Sequence, residues 1–225
     1  MLTIARYSTP VAPAACQTIL ELVSDNATSL SMTRPPLEHP LYDGYRALIV
    51  EEIRTYITRH DFPQIEVLTA ATVDGQVIGF LLFGLVMTDV LECNIYYTSV
   101  HRRFRRKGAM TQMMNSVMDI SSTLALSCDP SMVKIYERFG FMPADVRETQ
   151  VVMFIGKPKG ITPVVEPMDL MRLEVVERAF REAMEKTNKR DLKHADKRFQ
   201  VQITKMKTRA KEFLETRRSK AQEPV

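Results

Sequence analysis

The sequence predicts an α/β (α+β) fold, a mixed central sheet with helices on both faces, followed by a long helical extension. Two observations carry this. Between residues 2 and 156, runs rich in β-formers alternate with segments whose apolar residues recur at helical spacing. From Met168 to about Gln222 the chain contains neither Pro nor Gly.

LTIARY (2–7) reads as the first strand, and Ala15, Ile19, Leu22 and Val23 then fall on one helical face. After the SMTRPPLEHP loop, Tyr45, Leu48, Ile49, Ile53, Tyr56 and Ile57 form a stronger stripe. EVLTAATV (66–73), Asp74-Gly75 and QVIGFLLFGLV (76–86) read as a hairpin, because Asp-Gly suits a tight turn with positive φ. The second of these strands is apolar on both faces, as expected of a covered central strand. VLECNIYYTSV (90–100) is the next strand, and Met110, Met113, Met114, Val117 and Met118 mark a helix. LALSC (124–128), a short helix from Ser131 to Phe139 and TQVVMFIG (149–156) complete the set. The expected division is a folded domain over 1–157, a linker over 158–167 and a basic amphipathic helical tail over 168–225. GKPKGITPVVEP (156–167), with three prolines and two glycines, carries the linker reading. Within the tail, Leu192, Phe199, Met206 and Phe213 recur every seven residues, with Ala195, Ile203 and Ala210 beside them. That narrow seam suits a partner helix or a place along the body.

Composition narrows the function. With 45% hydrophobic and 26% charged residues the chain reads as globular, and no apolar run reaches the roughly 18 residues of a membrane span. MLTIARYSTP lacks the basic-then-apolar pattern of a secretory signal, so a cytoplasmic location is expected. Cys16, Cys93 and Cys128 are far apart and in no metal-ligand spacing, so they are expected to be buried thiols, with no metal bound. The net charge of +4 is uneven: from Glu166 onward sixteen Lys and Arg face eleven Asp and Glu, leaving the preceding residues at −1.

SVHRRFRRKGAM (99–110) packs five basic residues into twelve positions and then meets a glycine. A strand ending in a glycine-containing turn that feeds a helix makes an anion site. The first amides of a helix lack carbonyl partners, and the macrodipole adds about half a positive charge there. Arg105, Arg106 and Lys107 would add charge around a di- or triphosphate, while Gly108 lets a ligand approach the main chain. A nucleic-acid patch would extend onto neighbouring elements with aromatic platforms, and here the next helix is rich in methionine.

The spacing resembles the acetyl-CoA turn of the GNAT superfamily of N-acetyltransferases. That family has an apolar residue ending its fourth strand, an aromatic before Arg, then Arg-x-x-Gly-x-Gly/Ala; here Val100, Phe104, Arg105 and Gly108 match. Asp129-Pro-Ser-Met132-Val-Lys-Ile135-Tyr136-Glu-Arg-Phe-Gly140-Phe141 is similar to the family's later Asn-x-x-Ala-x-x-Leu-Tyr-Glu-Lys-x-Gly-Phe. The resemblance covers about two-thirds of the chain and none of the tail. It implies that acetyl-CoA, the co-substrate, places its pyrophosphate on the amides of Arg105, Arg106, Lys107, Gly108, Ala109 and Met110. Its pantetheine arm would lie beside Tyr97, Thr98, Ser99 and Val100, where the fourth and fifth strands part. Tyr136 would protonate the departing thiolate, and Glu92 would be the general base, with Asn94 and His101 weaker polar candidates. Two positions depart from the pattern. Met110 stands for a Gly or Ala, and Asp129, at a cofactor-binding position, for an Asn that commonly contacts the coenzyme; a carboxylate there repels pyrophosphate unless a neighbouring Arg neutralises it.

The function expected is acetyl transfer to a primary amine by direct attack. The alternative is a catalytically degenerate structural or interaction protein of the same fold, taking a protein partner or a second copy through residues 168–221. Acetyltransferase-like chains of that kind occur among bacteriophage products, some of them virion-associated. A third reading is non-specific nucleic-acid binding by the tail, which has thirteen basic against four acidic residues between Lys186 and Lys220.

Overall fold

A computed structural model describes residues 2–60 and 64–222; residues 1 and 61–63 of the expected first domain and 223–225 of the expected tail lie outside the described residues. The elements are β1 (Thr3–Ser8), α1 (Pro13–Asp25), α2 (Ala27–Leu30), α3 (Tyr42–Thr58), β2 (Ile65–Ala71), β3 (Val77–Met87), β4 (Leu91–Val100), α4 (Ala109–Met118), β5 (Thr123–Cys128), α5 (Val133–Glu137), β6 (Met142–Arg147), β7 (Gln150–Ile155), α6 (Pro167–Met171), α7 (Glu174–Glu185) and α8 (Lys189–Gln222). Seven strands form one sheet in the order β1-β2-β3-β4-β5-β7-β6. Every pairing is antiparallel except β4 with β5.

Each face of the sheet carries its own core. On one face Met113, Met114 and Val117 of α4 pack against Leu81, Phe83, Cys93 and Leu126. On the other, Ile19 and Val23 of α1 and Ile53 and Ile57 of α3 pack against Phe80 and Leu82. The successive side chains Phe80 to Phe83 of β3 therefore enter opposite cores, which is why that strand is apolar throughout. Cys16, Cys93 and Cys128 are free and buried.

Two features differ from the sequence reading. β6 is an additional strand, absent from that reading because Pro143 and Asp145 break the apolar alternation. It is a sheet edge with an irregular register at those residues, the place where proline is tolerated. The tail is three helices, not one. The chain turns at Arg172–Leu173 and again before α8, where Asn188 Oδ1 accepts the amide of Arg190 at 2.8 Å and caps the helix.

The tail packs on the body. Phe180 of α7 sits against Gly44 so closely that a Cβ there would lie 2.3 Å from its ring. Along α8, Ala195, Phe199, Ala210 and Leu214 are buried. Arg217 pairs with Glu137 and Lys207 with Glu148. The heptad seam thus faces this chain's own domain. Among the described residues no helix is long and apolar enough to cross a membrane.

Residues 156–166 have no regular structure, Pro167 opening α6, but are hydrogen-bonded to β4 and α3. Asn94 Nδ2 donates to Thr162 Oγ1 at 3.2 Å, Tyr96 Oη to the carbonyl of Pro163 at 2.7 Å, and the amide of Val165 to Tyr56 Oη at 2.9 Å.

Candidate active site

The site begins where two strands separate. β4 pairs with β5 only from Glu92 opposite Thr123 to Ile95 opposite Leu126. Beyond that, β4 continues to Val100 along β3, while Ser127 and Cys128 of β5 remain paired with β7. A bulge drives the divergence: Leu82 faces Tyr97 but Phe83 faces Ile95, so Tyr96 is an extra residue. Among the described residues, Tyr97, Thr98, Ser99 and Val100 therefore have no ladder partner on their β5 side.

Directly after β4 comes the basic turn. His101 Nδ1 accepts the amide of Arg103 at 3.3 Å and starts a single 3-10 turn over Arg102–Phe104. Arg106 (φ 65°) and Gly108 (φ 84°) then adopt left-handed conformations that swing the chain into α4. Among the described residues, none of the amides from Arg105 to Met110 donates a hydrogen bond to the chain, and the first helical bond is Gln112 N–H to the Gly108 carbonyl at 2.9 Å. These amides remain available at a helix start, the arrangement that binds anions.

The side chains of the turn divide their roles. Arg105 folds back, donating from Nε to the Val100 carbonyl at 3.2 Å and from Nη2 to Asn26 Oδ1 at 2.8 Å. Arg106 is exposed, and the exposed Lys107 places its ammonium 5.1 Å from the centre of the Phe104 ring. Ala109, the first residue of α4, is buried, and Met110 packs against the core below that helix.

Asp129 follows β5 immediately. Its Oδ1 accepts from the amide and hydroxyl of Ser131, and its Oδ2 meets Arg34 Nη1 at 2.9 Å. Burial opposes ionisation of this carboxyl. The Ser131 hydrogen bonds and the charges of Arg34 and Arg209 outweigh it and hold the carboxyl below its ordinary range. The segment between α1 and α3 thus touches both lips of the divergence, through Asn26 at the β4 end and Arg34 at the β5 end. Thr149 Oγ1 to the Met32 carbonyl (2.6 Å) and Gln202 Nε2 to the Arg34 carbonyl (2.9 Å) hold that segment in place.

The two residues expected to move protons have different surroundings. Tyr136 is 6% exposed, in the core on the α4 face, edge-on to Phe141 with Cys128 nearby. Burial raises its hydroxyl above the ordinary phenol range and pushes the Cys128 thiol up to about 12. Glu92, 1% exposed, sits at the closed end of the β4–β5 ladder. Its Oε1 accepts from Thr88 Oγ1 at 2.6 Å, and its Oε2 from the amides of Lys159 (2.9 Å) and Gly160 (2.7 Å). The Thr88 and Gly160 bonds hold its carboxyl below the usual range.

Sequence reasoning passed over Glu52. Placed on α3 by its helical periodicity, it gives no sign in sequence of reaching β4. In the fold its Oε1 accepts a hydrogen bond from Tyr97 Oη at 2.7 Å. Among the described residues no group of three or more His, Cys, Asp or Glu side chains converges as a metal site. A shallow groove of about 600 Å³ runs along α8, lined by Lys197, Arg198, Val201, Lys205 and Arg209 among others. Its lining is basic, amide and apolar, without a carboxyl group.

A mixed sheet of this strand order, parted between its parallel pair and followed by an amide-lined turn, defines an acetyltransferase-type fold. Residues 29–141, half of the chain, match the model of the Acetyltransferase (GNAT) family, and the chain belongs to that family. Solved structures agree on the fold. One, from Corynebacterium glutamicum and described as histone acetyltransferase HPA2 and related acetyltransferase, aligns with a TM-score of 0.53 at 16% identity, covering 71% of this chain and 98% of its own. An acetyl transferase from Pyrococcus furiosus aligns with a TM-score of 0.51 at 16% identity, covering 71% of this chain and 100% of its own. A Pyrococcus horikoshii protein gives the same values. No curated protein matches the sequence.

Proposed function

We propose that the protein transfers the acetyl group of acetyl-CoA to a primary amine by direct attack. One observation carries this reading: β4 leaves β5 after Ile95 and runs on to Val100 and into the turn whose amides, Arg105 to Met110, are unengaged. An extended pantetheine arm suits the edge of Tyr97 to Val100, which β5 does not cover and where Arg105 Nε meets the Val100 carbonyl, and a diphosphate suits the turn. Arg34 answers the charge of Asp129, and Met110 turns toward the core, so neither departure from the family pattern argues against the coenzyme. In this reading Tyr136 hands its proton to the departing thiolate; burial raises the phenol, and the same desolvation would raise the thiolate's proton affinity. No covalent enzyme intermediate is required, since orientation alone brings amine and thioester together.

Isothermal titration with acetyl-CoA tests the reading. Saturable binding is expected, and a folded protein that takes up no coenzyme at about millimolar concentration rejects it. An assembly role would draw on the seam of α8, which this chain's own body covers. The basic groove along α8 supports a second reading, contact with a polyanion through Lys197, Arg198, Lys205 and Arg209. Oligonucleotide affinity that does not fall with added salt would reject that reading.

A further inference from the structure

We propose that Tyr97 and Glu52 form the pair that accepts the amine's proton, on the opposite face of the sheet from Tyr136. This rests on the acetyl-transfer reading above. Tyr97 is the first residue beyond the bulge, so its side chain leaves β4 where β5 has already departed. It packs against the core of the α1–α3 face, while Tyr136 and Cys128 belong to the core of the α4 face. A thioester lying in the divergence would therefore have a phenol on each side. Among the described residues, only the one on the α3 face is backed by a carboxyl group, through the 2.7 Å bond to Glu52 Oε1.

The environment suits a base. Burial raises the Glu52 carboxyl above the ordinary glutamate range, against the opposing effects of the Tyr97 bond and of Arg147. A carboxylate with strengthened proton affinity is a better acceptor near neutral pH. Glu52 and Tyr97 are both half-buried, so the pair is sheltered without being sealed. Glu92 lacks these properties, because both its oxygens are engaged and its carboxyl is held down.

The proton balance closes. The amine nitrogen forms its bond to the acetyl carbon as the carbon–sulfur bond breaks. Tyr97 Oη takes the proton leaving nitrogen and passes its own to Glu52, and Tyr136 gives a proton to the thiolate sulfur. Glu52 then returns its proton to solvent, and Tyr136 recovers one.

The test uses the full chain, acetyl-CoA and propylamine as acceptor, following thiol release from about pH 5.5 to about pH 9.5. Glu52→Gln keeps a carbonyl oxygen for the Tyr97 bond but cannot take the proton. It should lower kcat/KM by about a hundredfold or more, abolish the acidic limb of the pH profile, and leave acetyl-CoA affinity within about twofold. Glu52→Asp should recover part of the rate, and Tyr97→Phe should lose at least about tenfold. Glu52→Gln turning over within about threefold of the parent, with its acidic limb unmoved, overturns the proposal. A parent that binds no acetyl-CoA overturns the underlying reading instead.

Discussion

Arg34 and Asp129, ninety-five positions apart, meet at 2.9 Å at the β5 lip of the strand divergence. The pair solves an electrostatic problem, since an uncompensated carboxylate there would repel a phosphate-bearing ligand. Arg34→Ala should weaken acetyl-CoA binding by roughly fivefold, about 1 kcal/mol, the upper range for a partly exposed pair. Adding Asp129→Asn, which keeps an acceptor for the Ser131 amide, should restore most of the loss. Titration calorimetry on the single and double variants checks both.

Gly108 holds φ at 84° where the turn enters α4, and a Cβ there would meet nothing closer than Gln112 Nε2 at 4.0 Å. Strain, not collision, therefore sets the cost of a side chain. Gly108→Ala should destabilise the fold by about 1–2 kcal/mol, a fall in Tm of very roughly 2–8 °C by differential scanning fluorimetry. Acetyl-CoA affinity should fall as well, because the new methyl group obstructs approach to the amides.

Glu92 joins β4 to the 156–167 segment. Glu92→Gln sets an amide group among donors and should lower Tm, while acetyl-CoA affinity stays within about twofold. The sign of the pH effect follows from the depressed carboxyl: its contribution is complete above the ordinary glutamate range and is lost as pH falls through the lower folded value. The Tm gap between parent and variant should therefore narrow in acid.

His39 anchors the start of α8. Its Nδ1 accepts the amide of Leu41 at 3.1 Å, so Nε2 carries the proton and sits 3.2 Å from Asp196 Oδ1, without hydrogen-bond alignment. Burial lowers the imidazole's proton affinity, outweighing the pull of Asp196. A histidine held neutral stabilises the fold fully above its unfolded value of about 6.5, and that stability is lost as pH falls toward the folded value. Protection factors along the first turns of α8, taken relative to the intrinsic base-catalysed exchange rate at each pH, should fall between about pH 7 and about pH 5.5, and His39→Gln should flatten this response.

Much of the fold was legible in the sequence. The Asp74-Gly75 turn and the stripe from Tyr45 to Ile57 mark local structure set by side-chain period and turn chemistry, and both stand in the structure. β6 was illegible because Pro143 and Asp145 belong to an edge whose role only its partner β7 defines. The strand-to-turn-to-helix run through Gly108 was legible for the same local reason as the hairpin. The contacts around it were not, because Asn26, Arg34 and Glu52 reach it from helices and loops remote in sequence.

By itself the sequence determined the alternation of elements, the position of the basic turn and the family resemblance. All three depend on residues within a few positions of one another. Only the tertiary structure decided where charge is answered and where a proton could go. Arg34 against Asp129 and Tyr97 against Glu52 are contacts between distant segments, made when two cores pack on opposite faces of one sheet. It also decided that the apolar seam of α8 covers its own domain, since a helical stripe specifies that something must bury it without specifying what.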